Sequence, residues 1–320
     1  KFGLAASWIN TFLILRFFEK ALEAKVMSTK ILIRANVSKS ILYQAYKIAT
    51  DFEKMYSAYK QDSFLYEINT TASKEKVFCE EEDIVLFKRC IEASRLCAGA
   101  FDITIGSLSH GAYHFGFSNQ KLASKEELEE KKELVNYKLL DIQEQSISFK
   151  KSGVRIDLGG IGKGYVSKLI ALYLKEVGAT KALVDVGGEI VGFGKSYNIA
   201  IKDPNSDGSI GFIKTSKDAI SISTSGDYER FIDSPQNNHI LNTQTGMSSN
   251  IYSSVTIIQN GLDIDLLDAY ATALFNKNSN YLKEFTKAKN IGLIAIEKDS
   301  SMILSNIKGL KVSSVAFNCT

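Results

Sequence analysis

The sequence predicts an α+β fold. Strand-like and helix-like segments follow one another in unequal runs, and several neighbouring strands are close enough to form hairpins. Against only 2 prolines, 22 glycines point to glycine-built turns. A doubly wound parallel sheet would instead alternate each strand with a crossover helix.

Residues 1–25 are set apart as an N-terminal extension. Phe2 to Leu15 is apolar apart from small or polar residues such as Ser7, Asn10 and Thr11, and Arg16 closes it. The stretch is shorter than the ~20 residues that a spanning helix needs. An anchor remnant, a tag and a docking helix all fit it. Residues 26–320 read as one domain, free of repeats and low-complexity linkers.

Lys30–Val37 reads as the first strand. Ser38 caps a helix whose apolar residues Ile41, Ala45, Ile48, Phe52, Met55 and Tyr59 step by three or four. A second helix covers Glu82–Ala98, with Gly99 as its stop. Lys125–Leu134, after Ser124, is a charged surface helix. Short strands follow near Lys138–Asp141 and Ser146–Lys150. Gly164–Val177 is helical, with Val166, Leu169, Ile170 and Tyr173 turned inward and Gly178 ending it. Then come strands Ala182–Val186, Glu189–Gly192, Tyr197–Lys202 and Ser253–Gln259. A helix over Asp263–Asn276 precedes a hairpin of Gly292–Ile296 with Met302–Leu304.

Composition removes several function classes. Hydrophobic residues at 45% and charged ones at 23% exclude general disorder. A net charge of +3 with a pI near 8.4 is too mild for nucleic acid as the main partner. The cysteines are Cys79, Cys90, Cys97 and Cys319. No pair has C-x-x-C spacing, which leaves buried free thiols as the simplest reading. No H-E-x-x-H motif or serine-hydrolase elbow occurs.

Asp157-Leu158-Gly159-Gly160-Ile161-Gly162-Lys163-Gly164 is the most unusual stretch. Glycines let a backbone approach a ligand, and a helix N-terminus offers free N–H groups to an anion. It is neither a P-loop nor a G-x-G-x-x-G element. A tight turn into a helix would explain the glycines alone; Asp157 and Lys163 favour a phosphate- or nucleotide-facing loop. Asp185-Val186-Gly187-Gly188-Glu189 reads first as a hairpin turn. Thr224-Ser225-Gly226-Asp227-Tyr228-Glu229-Arg230 is a third, weaker polar cluster. Asp268 and Thr272, four apart on a helix, project oxygens from one face, with Asp265 a turn earlier. With substrate phosphates and water they could complete a Mg²⁺ shell, although a helix-end aspartate answering the dipole explains Asp268 as well. Of the three histidines, His239 precedes a polar glycine turn, Asn242 to Gly246.

Taken in order from Met27, these blocks resemble the FAD:protein FMN transferase family, the ApbE-like proteins. The set also includes Met27-Ser28-Thr29, Ser57-Ala58-Tyr59 with Ser63 and Asn69, and Gly99-Ala100-Phe101-Asp102-Ile103-Thr104-Ile105-Gly106. Asp268-Ala269-Tyr270-Ala271-Thr272 closes it. The resemblance implies an ApbE-like arrangement of mixed sheets with packed helices over 26–320. It also implies FAD contacts at Met27, Tyr59, Ala100, Phe101, Asp102, Asp157, Lys163 and Leu241. Mg²⁺ would be held by the Gly160 carbonyl with the side chains of Asp268 and Thr272, and His239 would be the catalytic base.

The chain departs from the family pattern in three places. Asn242-Thr243-Gln244-Thr245-Gly246 stands for D-P-x-T-G, Ser107 replaces a proline before Leu108, and Tyr113-His114-Phe115-Gly116-Phe117 replaces an aromatic W-G-F-G segment.

The implied reaction is Mg²⁺-dependent transfer of FMN from FAD to a Thr or Ser hydroxyl of an acceptor protein. It would release AMP and leave a phosphoester-linked, covalently flavinylated protein. Two rivals share the site: a Mg²⁺-dependent FAD pyrophosphatase giving FMN and AMP, and a non-catalytic flavin-binding protein. The resemblance further implies acceptors with FMN-binding domains in redox complexes or reductases, and no nucleic acid. It places the enzyme in the periplasm, at the inner membrane if residues 1–25 attach it there.

Overall fold

A computed structural model describes residues 19–306 and 311–314. In chain order it has β1 (Lys20–Val26), β2 (Thr29–Ala35), α1 (Lys39–Tyr56), α2 (Phe64–Thr71), β3 (Val77–Phe78), α3 (Glu81–Leu96), α4 (Gly106–Ser109) and α5 (Lys125–Lys132). Then follow β4 (Leu140–Ile142), β5 (Ser146–Phe149), α6 (Gly162–Glu176), β6 (Ala182–Val186), β7 (Glu189–Phe193), β8 (Asn198–Lys202), β9 (Ser209–Lys214) and β10 (Ile220–Gly226). The chain ends with β11 (Phe231–Ile232), β12 (Ser234–Asn238), β13 (Tyr252–Asn260), α7 (Ile264–Leu274), α8 (Ser279–Lys289), β14 (Gly292–Glu297), β15 (Met302–Ser305) and β16 (Lys311–Ser314).

The expected α+β class holds. Eight strands form one sheet in the order β1-β2-β6-β7-β10-β13-β14-β15, and every pairing in it is antiparallel. Side-chain alternation separates its two faces. On β6, Ala182, Val184 and Val186 join the main core, whereas Leu183 joins a second cluster with Tyr197, Ile199, Ile201 and Ile213. Helices α1, α6 and α7 pack against the first face. The second cluster draws Ile199, Ile201 and Ile213 from β8 and β9, strands of the small sheet β16-β9-β8. On β10, Ile220 and Ile222 face that small sheet, so Ser221, Ser223 and Ser225 turn toward the helices. This register brings Ser225 to the site.

Local signals act as the sequence predicts. Ser38 accepts the Ile41 N–H at 3.2 Å and starts α1. Ser124 and Glu127 form a capping box on α5, which buries none of its residues. Three expectations shift. Strand β1 crosses the boundary at residue 25, so Lys20–Lys25 are paired in the large sheet, and residues 1–18 lie outside the described residues. The buried stripe of α1 is Leu42, Ala45, Ala49 and Phe52, while Met55 is exposed and Tyr59 falls beyond the helix. Helix α6 starts at Gly162 rather than Gly164 and buries Val166, Ser167, Ile170, Ala171 and Leu174; Leu169 and Tyr173 are half-buried. Both helices lie in a crevice between a sheet and a neighbouring helix, so small residues face the tightest contacts. Cys79, Cys90 and Cys97 are free and buried, and Cys319 lies outside the described residues. Strands β9 and β10 and helix α8 come in addition to the expected elements; Ile220-Ser221-Ile222-Ser223 alternates as a strand does, and Asn278 caps α8 by accepting the Tyr281 N–H at 3.0 Å.

Candidate active site

Two glycine positions set the site's framework. Gly164 lies where α6 meets α7: a Cβ there would stand 2.6 Å from the Ile264 carbonyl oxygen and 2.8 Å from Asp268 Cβ. Only a hydrogen allows this approach, which lets the Gly164 N–H donate to Asp268 Oδ2 at 2.9 Å. Gly187 turns the β6–β7 hairpin at φ +60°, and a Cβ on it would lie 2.4 Å from Thr29 Oγ1. It is thereby pressed against the end of the β1–β2 hairpin, whose tip residues Met27 and Ser28 both have positive φ, 52° and 61°. Two non-glycine residues in that region store strain at the cavity wall.

Between these elements lies a cavity of about 270 Å³. It is lined by all twelve residues named from the sequence: Met27, Tyr59, Ala100, Phe101, Asp102, Asp157, Gly160, Lys163, His239, Leu241, Asp268 and Thr272. They come from six separate stretches of chain. Phe101 and Leu241 form buried apolar wall. Tyr59 is 37% exposed at the rim; its ring packs on His110 and Phe117 with centroids 5.1 and 5.2 Å away. Burial beside Asp157 pushes its phenol up to about 12. The Arg230 guanidinium lies 5.3 Å over the Tyr59 ring and donates to its hydroxyl, bridging the β10–β11 connection and the segment after α1.

The Asp157 carboxylate accepts from Ser109 Oγ at 2.8 Å and the Gly159 N–H at 2.8 Å, and lies 3.0 Å from His110 Nε2. Burial would raise its pKa, but the His110 ring and these donors hold it well below the usual carboxylate range. Asp102 is held in place as well: its carboxylate accepts from Thr104 N, Thr104 Oγ1 and Tyr137 N, at 2.9, 2.7 and 2.7 Å. It lines the cavity, and burial raises its pKa.

Lys163, in the first turn of α6, pairs at 3.2 Å with Glu189, which is fully buried. Burial opposes its charge, yet Asp268 and Glu189 keep the ammonium protonated. Asp268 is buried in the second turn of α7 rather than solvated at its end, and its carboxylate meets an N–H in the first turn of α6 instead. Its Oδ1 accepts no hydrogen bond among the described residues. Burial raises its pKa and Lys163 opposes the rise. One turn on, Thr272 Oγ1 lies 3.3 Å from Ser225 Oγ. A Cβ on Gly160 would be 3.0 Å from Thr272 Oγ1, so that backbone approaches the hydroxyl closely. Asp265 points elsewhere, into an ion cluster with Arg89 and Lys168 at 2.7 and 3.1 Å.

No group of three or more His, Cys, Asp or Glu gathers into a metal cage among the described residues. The carboxylate, hydroxyl and close-set glycine backbone are hard oxygen donors of the kind Mg²⁺ accepts alongside water and phosphate. Two buried carboxylates, Asp268 and Glu189, lie near one ammonium; burial raises both pKa values, that of Glu189 to about 8 with Asp268 beside it, and a bound cation would favour their charged forms. The donor set fits Mg²⁺ in chemistry and charge.

His239 Nδ1 and its backbone N both lie 3.0 Å from the Arg230 carbonyl oxygen. Burial, with the Arg230 charge, lowers the ring to about 4, below the ordinary imidazole value. The turn that follows compensates for its departure from the family pattern. Asn242 Oδ1 accepts the N–H groups of Gln244 and Thr245 at 2.9 and 3.1 Å, building the Asx turn without a charge. Ser107, at the missing proline, is buried and accepts the Arg155 N–H at 2.9 Å. Gly116 leaves room for Tyr59, and Phe117 packs on it, so the altered aromatic segment still supports the rim. The sequence alone did not assign roles to Arg230, Ser109, His110 or Glu189. Arg230 and Glu189 stood in the polar glycine clusters, which was their only signal.

Comparison with known proteins places the whole fold in one family. The model of the ApbE family matches residues 27–296. A FAD:protein FMN transferase of Klebsiella pneumoniae is 25% identical over 298 residues, covering 91% of this chain and 93% of that protein. The crystal structure of the ApbE protein of Thermotoga maritima superposes with a TM-score of 0.80 at 28% identity, covering 90% of this chain and 97% of that one. The flavin transferase ApbE of Vibrio cholerae gives a TM-score of 0.80 at 25% identity, covering 92% and 99%.

Proposed function

Because the chain belongs to the ApbE family, we propose that it is a FAD:protein FMN transferase, moving FMN from FAD to a Thr or Ser hydroxyl of an acceptor protein. The observation that carries this reading is one cavity holding a neutral histidine, a lysine-bearing glycine loop and a set of hard oxygens, walled by aromatic residues. No single element would suffice; their convergence matches the parts that phosphoryl transfer requires.

The residues divide the work. Tyr59, Phe101 and Met27 enclose the flavin ring system, with Ala100 and Leu241 completing the wall. Asp157, kept ionised, offers an acceptor oxygen at the polar edge. Asp102, oriented by its three donors, adds a second carboxylate to that edge. His239 donates its Nδ1 proton to the Arg230 carbonyl, which leaves Nε2 as the proton acceptor. The acceptor hydroxyl loses its proton to Nε2 as its oxygen bonds to the FMN phosphorus. The bond from that phosphorus to the bridging oxygen breaks, and AMP departs with the bridging oxygen and its electron pair. Lys163 and the N–H groups opening α6 stabilise the leaving phosphate. Mg²⁺, held by the Gly160 carbonyl, Asp268 and Thr272, would neutralise diphosphate charge.

The family resemblance supports acceptors with FMN-binding domains in redox complexes or reductases. It also supports a periplasmic setting at the inner membrane, with the segment before β1 as the attachment. Among the described residues no helix is long and apolar enough to cross a membrane.

Incubation with FAD, Mg²⁺ and an acceptor domain tests the reading. The acceptor should gain covalent in-gel flavin fluorescence that needs both enzyme and Mg²⁺. Equal labelling without enzyme would refute it.

A further inference from the structure

We infer that Glu189 is a positioning residue that holds the Lys163 ammonium away from Asp268, keeping the Asp268 carboxylate free for a divalent cation. The inference rests on the cation set proposed above, and concerns a residue outside the cavity lining.

Glu189 opens β7, directly after the Gly187-Gly188 turn, and its side chain is fully buried. Its Oε1 takes Lys163 at 3.2 Å, while Oε2 has no hydrogen-bond partner among the described residues. A carboxylate buried with an oxygen unsatisfied is costly, so a merely structural role would be better filled by an apolar residue. Its backbone is fixed as well, because the Glu189 carbonyl accepts from Ser167 Oγ at 3.0 Å.

The neighbouring residue explains what the carboxylate restrains. Lys163 adjoins Gly164, whose N–H donates to Asp268 Oδ2. The ammonium therefore has two buried carboxylates within its electrostatic reach, Glu189 and Asp268, with the exposed Glu229 as a third, weaker one. With Glu189 engaged, Asp268 keeps Oδ1 open toward the cavity. Without that charge, Lys163 has one buried anion left to satisfy it. A lysine seated on Asp268 would occupy the place of the cation and supply the wrong charge geometry, a flexible monovalent ammonium instead of an ion that accepts phosphate oxygens.

The test measures binding rather than turnover. Mn²⁺ is titrated into the full chain with FAD present, and the free ion is read by electron paramagnetic resonance. Glu189→Gln should raise the midpoint by about tenfold, equivalent to about 1.4 kcal/mol. In a Lys163→Met background the same change should move it by less than about twofold, because the competitor is gone. Equal weakening in both backgrounds would mean that Glu189 acts only as a distant negative charge, and no weakening in either would remove its role. Either result overturns the inference. Glu189→Asp keeps the charge, so it should recover most of the affinity, and a loss as large as that of Glu189→Gln would also overturn it. Asp268→Asn serves as the control for the cation set: normal Mn²⁺ binding there would refute the set itself, separately from the role of Glu189.

Discussion

His239 Nδ1 lies 3.0 Å from the Arg230 carbonyl oxygen, which fixes the proton on that nitrogen and leaves the other with its lone pair. The Arg230 side chain meanwhile bridges to Tyr59. The residue that orients His239 is thus also the one that meets Tyr59 at the rim of the cavity.

The first prediction concerns pH. With the ring lowered to about 4, His239 is neutral across the physiological range. FMN transfer should be flat from about pH 6 to 8 and fall below about pH 5 as Nε2 is protonated. Stability should follow the same group: the unfolded chain takes up the proton near about 6.5, so stability drops as pH falls from there toward about 4. A rate profile with its inflection near 7 would show that the imidazole sits in a different environment.

Replacing Asp268 separates charge from hydrogen bonding. Asp268→Asn keeps an oxygen for the Gly164 N–H, so the protein should fold with a stability loss under about 1.5 kcal/mol and show no Mg²⁺-dependent AMP release. Asp268→Ala should be equally inactive and lose a further ~1–3 kcal/mol, because a buried N–H is left without an acceptor. Thermal unfolding and AMP assays on both variants decide this. A wild-type rate with an unchanged Mg²⁺ midpoint would take Asp268 out of the site.

Gly164→Ala tests the helix contact. Its methyl group would meet the Ile264 carbonyl at 2.6 Å and force α6 from α7. We expect a loss of about 1–3 kcal/mol, as for overpacking, with a higher Mg²⁺ requirement. Normal stability would mean that the two helices part without cost.

Asn242 offers the reverse case, a departure from the family pattern that should be silent. Asn242→Asp retains the acceptor for Gln244 and Thr245 and should leave stability and rate within about twofold. Asn242→Ala removes the acceptor from both N–H groups and should cost about 1 kcal/mol, with a lower transfer rate as the loop after His239 loosens. An Asp variant several-fold faster than the parent would show that the absent charge matters to catalysis.

Much of this was legible in the sequence because the signals are local. Ser38 and Ser124 announce their helices, Gly187-Gly188 a hairpin, and the four-residue step from Asp268 to Thr272 a shared face. The cavity residues were legible through motif order rather than through physics, as no spacing rule joins Met27 to Leu241. What stayed hidden depends on distant contacts. Glu189 looks like any residue after a glycine turn until the fold sets it beside Lys163. The Tyr137 N–H that helps orient the Asp102 carboxylate comes from 35 residues on. Strand β1 has alternating exposure but a charged sequence, and its place in the sheet comes from pairing with β2.

The central claim is that the acceptor hydroxyl, not water, receives the FMN phosphate. Quantifying AMP against covalently bound flavin in one reaction, with and without the acceptor domain, tests it most directly. The account predicts one AMP for each flavin attached, and AMP formation that stalls when the acceptor is omitted or its target Thr or Ser is replaced by Ala. AMP released at the same rate without acceptor, with free FMN accumulating, would contradict it and make the protein a FAD pyrophosphatase.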